Sequence, residues 1–420
     1  MTDVEEREPV VEEEENGAEP DIAEEADEDD EEDDEEEEEE EEEQNSVENS
    51  DVATKYRDAA RVVNTALEGC VSQCVAGASV LDVCKFGDAV IAQSTERLYR
   101  KKINGRTVEK GIAFPTCVSV NEVVCHHSPL ESDKDDLRPL EDGDIVKIDL
   151  GCHIDGYIAL AAHTIVVGAN FAEAPLEGRR ADAFAAAFTA GTICEKLIKN
   201  GGTNAEVTAA LAKVAETFDV NLIKGTTMHQ MKRFVIDAAK VISLVDDPEQ
   251  PVDPCTFETG EVYCIDVAVS TGEGKCREAE VPTTVFKRIV ENTYNLRQRF
   301  ARQLLRDINT KSPTLPFTLR SMGTESQARA GLRECLANEL LLPYPVMVER
   351  EGETIVHVKF TVLLLPTGTT RITGMEYPVE SFKSDKQVDE ETAAILAQQG
   401  KKKRRNKKKK KASEAAPAES

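Results

Sequence analysis

The sequence predicts an α+β protein in which one large globular body lies between two charged tails. Of its 420 residues, 40% are hydrophobic, and they are spread over the middle of the chain, where they can fill one large core. Residues 114–164 alternate apolar and polar side chains, as half-buried strands do. Segments on either side repeat apolar residues at helical spacing. We therefore assign the extra length to insertions and tails.

Two amphipathic helices are predicted before the alternating segment. The first follows Ser50 and Asp51, residue types that favour a helix N-cap, and the second begins after Ser79 and runs to Leu98. Apolar residues recur at roughly helical spacing in the first helix, at Val52, Tyr56, Val63, Leu67, Val71 and Cys74.

The alternating segment predicts short strands, with turns at Asp142–Gly143 and Asp155–Gly156. Helices are expected at 181–199 and, capped by Thr203, at 205–218. A strand over 261–270 then ends in the turn TGEGK. These glycines do not form a phosphate loop, because they connect two extended segments and lack the remaining glycine and lysine spacing.

A small helical module is predicted between Phe286 and Glu353. It contains one helix through Tyr294, Leu296, Phe300, Leu304 and Leu305 and another over 328–341. The chain returns with the strand HVKFTVLLL and a last helix near 390–399. The predicted organisation is a tail at 1–50, a body at 51–285 and 354–400, an inserted module at 286–353 and a tail at 401–420.

The net charge of −31 is concentrated in the tails. The first fifty residues hold 30 Asp and Glu against one Arg, so they carry −29, whereas residues 401–420 carry +8 and the body between them −10. The acidic tail has almost no large apolar side chains and is predicted to be disordered. It is either a solvated solubility tail, a mask for basic proteins, or an internal mimic of nucleic acid that competes for the basic C-terminus.

We expect a soluble intracellular protein with no membrane segment. No run of about 18 apolar residues is present, and the start MTDVEEREPVVEEEE is acidic where a signal peptide needs a basic and then an apolar stretch. The eleven cysteines are scattered, without a CxxC pair, and are interpreted as reduced packing residues rather than a structural metal site.

Several blocks of the sequence resemble the type 2 methionine aminopeptidases of peptidase family M24. They are FPTCVSVNEVVCHHSP, DIVKIDLGCHIDGYIALAAHT, EVYCIDVAVSTGEG and VKFTVLL, in this order. The segments SPLESDKDD, MHQMK, PFTLR and the lysine tail resemble more closely the family's non-peptidase branch, the proliferation-associated (ErbB-receptor-binding) proteins. The resemblance covers about residues 51–411 and implies a pita-bread (creatinase/aminopeptidase) fold, two related α/β halves facing each other around a central antiparallel sheet.

The resemblance also implies which residues replace the metal ligands of the peptidases. There, two aspartates, a histidine and two glutamates hold two divalent metals that activate a bridging water. The matching positions here are Asp149, Leu160, His229, Asp266 and Lys359. A substrate-contacting histidine of the peptidases matches His126, and the resemblance implies that Asp237 replaces a further site histidine.

This set of residues argues against a dinuclear metal site. Two carboxylates remain where four would offset two divalent ions, and an ammonium about 4 Å from such an ion is repelled by roughly 8 kcal/mol at an effective dielectric of 20. We predict no metal cofactor and no aminopeptidase activity. We also predict that Lys359 pairs with Asp149 or Asp266, because a buried ion without a partner is costly. The pocket around His126, Asp149, His229 and Asp266 is then a remnant.

Other side chains give weaker signals of chemistry. His126, His127, His153, His163 and His357 are interpreted as strand histidines satisfied by their neighbours. Cys125 and His126 are adjacent and would face opposite sides of a strand, so they do not form a nucleophile–base pair.

The segment KKKRRNKKKKK carries ten cations in eleven residues. Such a cluster binds phosphate backbones through counterion release and also fits a nuclear or nucleolar targeting signal, with an inert solvated tail as the alternative. It lacks interleaved aromatic residues, so it is expected to read charge and shape rather than base sequence. The candidate nucleic-acid-binding residues are Lys401, Lys402, Lys403, Arg404, Arg405, Lys407, Lys408, Lys409, Lys410 and Lys411.

The favoured function is a catalytically inactive aminopeptidase-like protein that binds ribosomal or other structured RNA. The family resemblance implies association with ribosomes and roles in growth control, ribosome biogenesis and translation, in the cytoplasm and the nucleus or nucleolus. We expect a monomer, with basic proteins as further partners of the acidic tail. The alternatives are a metallopeptidase with a single metal on Asp149, His229 and Asp266, and an adaptor or transcriptional co-regulator that does not bind RNA.

Overall fold

A nine-stranded antiparallel sheet runs through the centre of the protein in this computed structural model, which describes residues 44–103, 105–133, 138–171, 173–377 and 381–398. The described residues from Asn45 onward form one compact unit. The helices are α1 (Ser50–Gln73), α2 (Val80–Arg97), α3 (Gly178–Leu197), α4 (Asn204–Phe218), α5 (Arg299–Lys311), α6 (Glu325–Ala337) and α7 (Glu390–Leu396).

The strands are β1 (Lys110–Val120), β2 (Val123–Cys125), β3 (Ile145–Ile154), β4 (Tyr157–Val166), β5 (Leu176–Glu177), β6 (Asn221–Leu222), β7 (Thr227–Gln230), β8 (Val241–Ser243), β9 (Val262–Ser270), β10 (Arg277–Glu278), β11 (Val285–Arg288), β12 (Phe317–Thr318), β13 (Leu341–Tyr344), β14 (Met347–Val348), β15 (Ile355–Leu365), β16 (Gly368–Arg371) and β17 (Phe382–Lys383). The central sheet has the order β1-β3-β4-β15-β9-β7-β8, with β16 on β15 and β6 on β9.

Two pairs of helices cover one face of this sheet. Residues of α1 and α2 share a buried cluster with β1, β3 and β4, and residues of α3 and α4 share another with β9 and β15. Each helix pair and its strands form one α/β half, and the halves meet where β4 pairs with β15. This is the two-half arrangement that the resemblance predicts.

Side chains alternate between the two faces of the long strands. In β15, Val356, Val358 and Phe360 belong to the core under α3 and α4, and the residues between them point to the other face. In β3, Ile148 and Leu150 belong to the core under α1 and α2, which places Asp149 on the opposite face. Helix packing on one face therefore fixes which polar residues line the other.

The predicted helices and turns are present, with small changes at their ends. The α1 cap is Asn49, one residue before the expected cap, since its Oδ1 accepts the Asp51 N–H at 3.0 Å. Thr203 and Glu206 form a complete capping box at α4. The turn between β3 and β4 places Asp155 and Gly156 at positive φ, as a tight hairpin requires. β3 and β4 span ten residues each, longer than the short strands expected.

The inserted segment is more than a pair of helices, which corrects the helical module expected at 286–353. It also contains a three-stranded sheet of order β12-β11-β13, and β14 joins β10 and β2 in another small sheet. Tyr294 and Leu296 lie before α5 rather than in it. The helix begins at Arg299, and the Glu334 carboxylate of α6 accepts the N–H groups of the two preceding residues, Arg297 and Gln298, at 2.7 and 2.8 Å, which holds them outside the helix.

A buried ion pair attaches this module to the first half of the body. Arg320, in the short 3-10 helix after β12, donates to Asp88 Oδ2 of α2 at 2.8 Å and to the Ser128 carbonyl and hydroxyl oxygens. Asp88 Oδ1 in turn accepts the Thr116 N–H of β1 at 2.8 Å. No helix in the described part of the chain is both long enough and apolar enough to cross a membrane.

Candidate functional site

A cavity of about 410 Å³ lies on the face of the central sheet that the helices leave uncovered. We call it the central cavity. Strands β4, β9 and β15 contribute Leu160, Asp266 and Lys359 to its lining, and the inserted segment adds Tyr344 and Met347. Because side chains alternate along each strand, these residues belong to the set opposite the helix-covered core. The sheet register thus brings together residues that are up to about two hundred positions apart in the sequence.

Three charged residues form one row across four neighbouring strands. In register, Asp149 of β3 lies opposite Ala162 of β4, Ala162 opposite Lys359 of β15, and Lys359 opposite Asp266 of β9. Lys359 Nζ lies 2.6 Å from Asp149 Oδ2 and 3.0 Å from Asp266 Oδ2. The predicted ion pair is therefore present, and Lys359 bridges both aspartates instead of choosing one.

The charges in this row stabilise one another. Burial alone disfavours a charged lysine, but the Asp149 and Asp266 carboxylates outweigh that effect and raise the pKa of Lys359 well above its usual value. Burial likewise opposes ionisation of Asp266, yet Lys359 and His357 hold the pKa of that carboxyl below its usual range. The row thus holds the Lys359 ammonium between the side chains of Asp149 and Asp266.

His357 completes the row and was not singled out as a site residue from the sequence. Its Nε2 donates to Asp266 Oδ1 at 2.5 Å, so both oxygens of Asp266 are engaged. The sequence does contain a pattern that indicates this role: His357 lies two residues before Lys359 on β15, so both side chains face the same side of the sheet. Asp149 Oδ1 is buried and has no hydrogen-bond partner within the described residues.

Leu160 is the residue that the family resemblance matches to the second aspartate of the peptidases. It is buried, and its Cδ2 lies 2.3 Å from where a Cβ on Gly151 would be, so the two residues fit against each other. Its backbone is fixed by Thr361, whose Oγ1 accepts the Leu160 N–H at 2.9 Å. An apolar side chain therefore fills the space where a metal-ligating carboxylate would be needed.

His229 lines the cavity, but its ring contacts the nearby Thr227 hydroxyl. Its Nε2 lies 2.7 Å from Thr227 Oγ1, its Nδ1 is buried without a partner among the residues described, and burial lowers its pKa. Asp237, the residue matched to a further site histidine, also lines the cavity and forms an ion pair with Lys287 at its edge. Lys287 lies in the inserted segment and was not foreseen.

His126 lies after β2 and not on a strand, which corrects its interpretation and that of His127 as strand histidines. Its φ is +66°, in the left-handed region, so Cys125 and His126 are not alternating strand neighbours. Nδ1 donates to the Pro345 carbonyl at 3.0 Å, and the ring packs against Phe114 and Tyr344. Burial lowers the pKa of His126 to about 4, so the ring is neutral at physiological pH.

The other histidines serve packing. His153 and His163 lie on β3 and β4 as expected, and burial lowers the pKa of His153 to about 4 and that of His163 to about 3. His127 Nδ1 lies 2.8 Å from the Val118 carbonyl.

All eleven cysteines are free, and burial raises the pKa of the thiols that line the cavity, including Cys125 and Cys264.

The residues of the cavity do not fit a pair of divalent metals. Lys359 Nζ lies between the two carboxylates that would bind the ions, and Leu160 offers no oxygen. Across the residues that the structure describes, no group of three or more His, Cys, Asp or Glu is arranged to hold a metal ion. The geometry places Lys359 between two aspartates, and no step of metal-dependent hydrolysis can be derived from it. The candidate nucleic-acid-binding residues of the basic tail, 401–411, lie outside the described part of the chain.

Comparison with known proteins places this site in a family. Residues 54–286 match Metallopeptidase family M24. ERBB-3 binding protein 1 of Solanum tuberosum is 44% identical over 342 residues, which cover 81% of this chain and 85% of that protein. Proliferation-associated protein A of Dictyostelium discoideum is 41% identical over 345 residues, which cover 82% and 88% of the two chains.

A solved structure supports the same assignment. The structure of a thermophilic Arx1 superposes with a TM-score of 0.78 at 29% identity, and covers 83% of this chain and 98% of that one. The predicted pita-bread fold is thereby confirmed. This chain belongs to metallopeptidase family M24, in the branch of the proliferation-associated and ErbB-3-binding proteins.

Proposed function

We propose that this protein is a catalytically inactive member of family M24 that binds structured RNA on ribosomes and acts in ribosome biogenesis and translation. One observation carries the first half of the proposal: Lys359 Nζ contacts both Asp149 and Asp266, at 2.6 and 3.0 Å, where the peptidases hold their metals. An ammonium in that position supplies the counter-charge that the carboxylates need. Metal binding would require breaking a buried ion pair, which costs several kcal/mol.

The charge of the inserted segment supports RNA binding. Residues 286–353 hold 11 basic and 8 acidic residues, a net charge of +3, whereas the rest of the body (51–285 and 354–400) carries −13. A body that is otherwise negative would be repelled by phosphates over most of its surface. The inserted module is therefore the part of the body best suited to approach RNA.

Helix α5 concentrates these charges on one side. Arg299, Arg302 and Arg306 are exposed and recur with i, i+3 and i+7 spacing, so they share the face opposite the buried residues Ala301, Leu304 and Ile308. Within the described residues none of the three arginines forms an ion pair with a carboxylate, although Arg302 donates to the Leu296 and Arg297 carbonyls and Arg306 to Gln303 Oε1. No contacting carboxylate neutralises their charges, so phosphates can approach them. We call this face the α5 arginine stripe.

Aromatic side chains accompany the stripe. Tyr294 is 44% exposed and Phe300 is 41% exposed, which is high for aromatic rings in a folded body. Exposed rings beside arginines can stack on unpaired bases, whereas the basic tail at 401–411 has no aromatic residue. The module and the tail would thus contact RNA in different ways, the tail by charge and the module by charge and stacking.

Salt-dependent RNA binding tests this half of the proposal. Affinity for a structured RNA hairpin with an unpaired loop is measured over a range of salt for the protein and for the triple variant Arg299→Gln, Arg302→Gln and Arg306→Gln. Each arginine–phosphate interaction that the variant removes should reduce the log–log salt slope by about 0.7 on unpaired strands, so the slope should fall by about 2.

A matched control removes the same charge elsewhere. Arg57, Arg97 and Arg100 are exposed residues in and just after α1 and α2, and changing all three to Gln lowers the net charge by the same amount. This variant should keep the original slope. If both triple variants lowered the salt slope equally, the α5 arginine stripe would contribute only general positive charge. If replacing the tail lysines with glutamine left the RNA affinity unchanged, the tail would have no part in RNA binding.

A protein-binding adaptor is the second candidate, because relatives at 44% identity carry the name ERBB-3 binding protein 1. The two functions respond differently to ionic strength. High salt strips RNA from a phosphate-binding surface but leaves a partner held by apolar contacts attached. Recovery of a protein partner and no RNA from the intact protein at low salt would favour the adaptor.

A further inference from the structure

The central cavity has been kept open although the metals' positions are filled. Its volume of about 410 Å³ falls within the range of about 300 to 1,000 Å³ that small-molecule sites occupy. Most of its surface is apolar, with Phe114, Val124, Leu160, Ile223, Ile236 and Met347 on its walls.

The lining offers no free carboxylate to a cationic ligand. It contains two carboxylates, Asp237 and Asp266. Asp266 accepts from His357 through Oδ1 and from Lys359 through Oδ2, and Asp237 is paired with Lys287. A ligand ammonium would enter without a partner, and a buried unpaired charge is costly.

The lining offers no free cation to an anionic ligand either. Lys359 is held by two aspartates, and Lys224, at the rim, lies 3.4 Å from Asp247. His126 is neutral, since burial lowers its pKa to about 4. Each charged side chain of the lining therefore already has an oppositely charged partner within the protein, which favours an uncharged occupant.

Two histidine nitrogens of the lining have no partner among the described residues, the buried Nδ1 of His229 and the Nε2 of His126. The His126 Nδ1–H is committed to the Pro345 carbonyl, so the neutral ring carries a lone pair on Nε2, for which the described residues provide no partner. The ring is held between Phe114 and Tyr344, and the residue keeps a φ of +66° that a histidine rarely adopts. Such backbone strain persists where the surroundings fix a side chain for binding. His126 is thus a positioned hydrogen-bond acceptor in an apolar cavity.

We propose that the central cavity binds an uncharged, mostly apolar molecule of about the size of a blocked amino acid, held by an N–H or O–H group that donates to His126 Nε2. The ligand differs in charge from a free peptide N-terminus, which enters as an ammonium. The proposal rests on the proposed function in one respect: the metal positions are occupied by Lys359 and its partners.

Three probes that share the methionine side chain but differ in charge test the proposal on the full chain. N-acetyl-L-methioninamide is neutral, L-methioninamide is a cation and N-acetyl-L-methionine is an anion. Binding is measured by saturation-transfer NMR and by titration calorimetry. The neutral probe should bind in the micromolar to millimolar range, and the two charged probes should bind at least about tenfold more weakly because each brings an uncompensated charge.

Two variants locate the binding. Ala268→Phe places a ring in the cavity from β9 and should abolish binding of the neutral probe. His126→Asn suits a positive φ but is too short to present the same acceptor, and should weaken binding about threefold to tenfold, the value of one hydrogen bond. His126→Asn also serves if Ala268→Phe does not fold.

Each result decides the proposal. Preferential binding of the neutral probe that both variants impair supports it. Tighter binding of the cation, binding that neither variant changes, or no binding of any probe at millimolar concentration overturns it. Peptide cleavage is assayed in the same samples with a Met-Ala-Ser peptide, because turnover would show that the proposed function, and not the ligand class alone, has failed.

Discussion

Replacing Lys359 with methionine removes the charge that joins the two halves of the sheet at the cavity. Methionine keeps the length and most of the volume of the side chain, so the change isolates the ammonium. The two aspartate oxygens lie 2.6 and 3.0 Å from Nζ, and they are therefore at most 5.6 Å apart. The variant leaves two carboxylates facing each other in a buried space.

The expected loss of stability follows from this geometry. Two like charges about 5 Å apart repel by about 3 kcal/mol at an effective dielectric of 20. Breaking a buried ion pair by removing one partner generally costs about 3 to 5 kcal/mol. We therefore expect Lys359→Met to lower the free energy of unfolding by about 3 to 5 kcal/mol, measured by urea denaturation at pH 7.

The variant should also reverse the pH dependence that Asp266 contributes. In the native protein the pKa of Asp266 is depressed, so its contribution to stability is present above the unfolded value of about 3.9 and is lost as the pH falls through the folded value. Without Lys359, burial and Asp149 raise the pKa of Asp266 above about 3.9. Its contribution is then greatest in acid and is lost as the pH rises, so the deficit of the variant should shrink as the pH falls toward this raised pKa.

Two further variants control the measurement. Lys383→Met removes a lysine whose pair with Glu177 lies in solvent, and should change stability by less than about 1 kcal/mol. Adding Asp149→Asn to Lys359→Met removes one of the two facing charges and should recover part of the missing stability. A decrease below about 1 kcal/mol for Lys359→Met, with an unchanged pH profile, would refute the bridged arrangement.

Three other changes test the fold around the site. Burial lowers the pKa of His163 to about 3, so the unfolded chain binds a proton below about pH 6.5 that the folded chain does not; His163→Phe should reduce the acid-side slope of the unfolding free energy by up to about 1.4 kcal/mol per pH unit, and an unchanged slope would mean that this ring titrates normally. Arg320→Met leaves Asp88 without its partner and should cost about 3 to 5 kcal/mol in urea denaturation, whereas a neutral result would show that the inserted module is held by other contacts. Thr203→Ala removes half of the capping box with Glu206 and should cost about 0.5 to 2 kcal/mol, with no change expected if the helix end is already frayed.

Sequence reasoning succeeded where one physical rule dominates. The period-2 pattern of β3 and β15 identifies the strands, and the same pattern puts Asp149 and Lys359 on the face away from the helices. The cost of an unpaired buried ion then predicts that the lysine finds an aspartate. What the sequence could not decide was the choice between Asp149 and Asp266, because both lie within reach only once the register of four strands is known.

Sequence reasoning failed where distant contacts override a local pattern. The apolar spacing through Tyr294 and Leu296 predicts a helix, but the helix begins only at Arg299, and the Glu334 carboxylate accepts the N–H groups of the two residues before it, Arg297 and Gln298. His126 was expected on a strand, and the contact of its ring with the Pro345 carbonyl, more than two hundred residues away, holds it in a left-handed turn. Neither partner can be inferred from the neighbouring residues.

The central claim is that Lys359 has replaced the metals, and metal content tests it most directly. The purified protein is incubated with excess Mn²⁺ or Co²⁺, freed of unbound ions and analysed for metal per chain, alongside cleavage of a Met-Ala-Ser peptide. The double variant Lys359→Glu and Leu160→Asp, which restores the carboxylates of the peptidases, is treated in parallel. We expect no stoichiometric metal and no turnover for the native chain, and measurable metal binding by the double variant. Two metals per native chain with peptide turnover would contradict the account and identify the protein as an aminopeptidase.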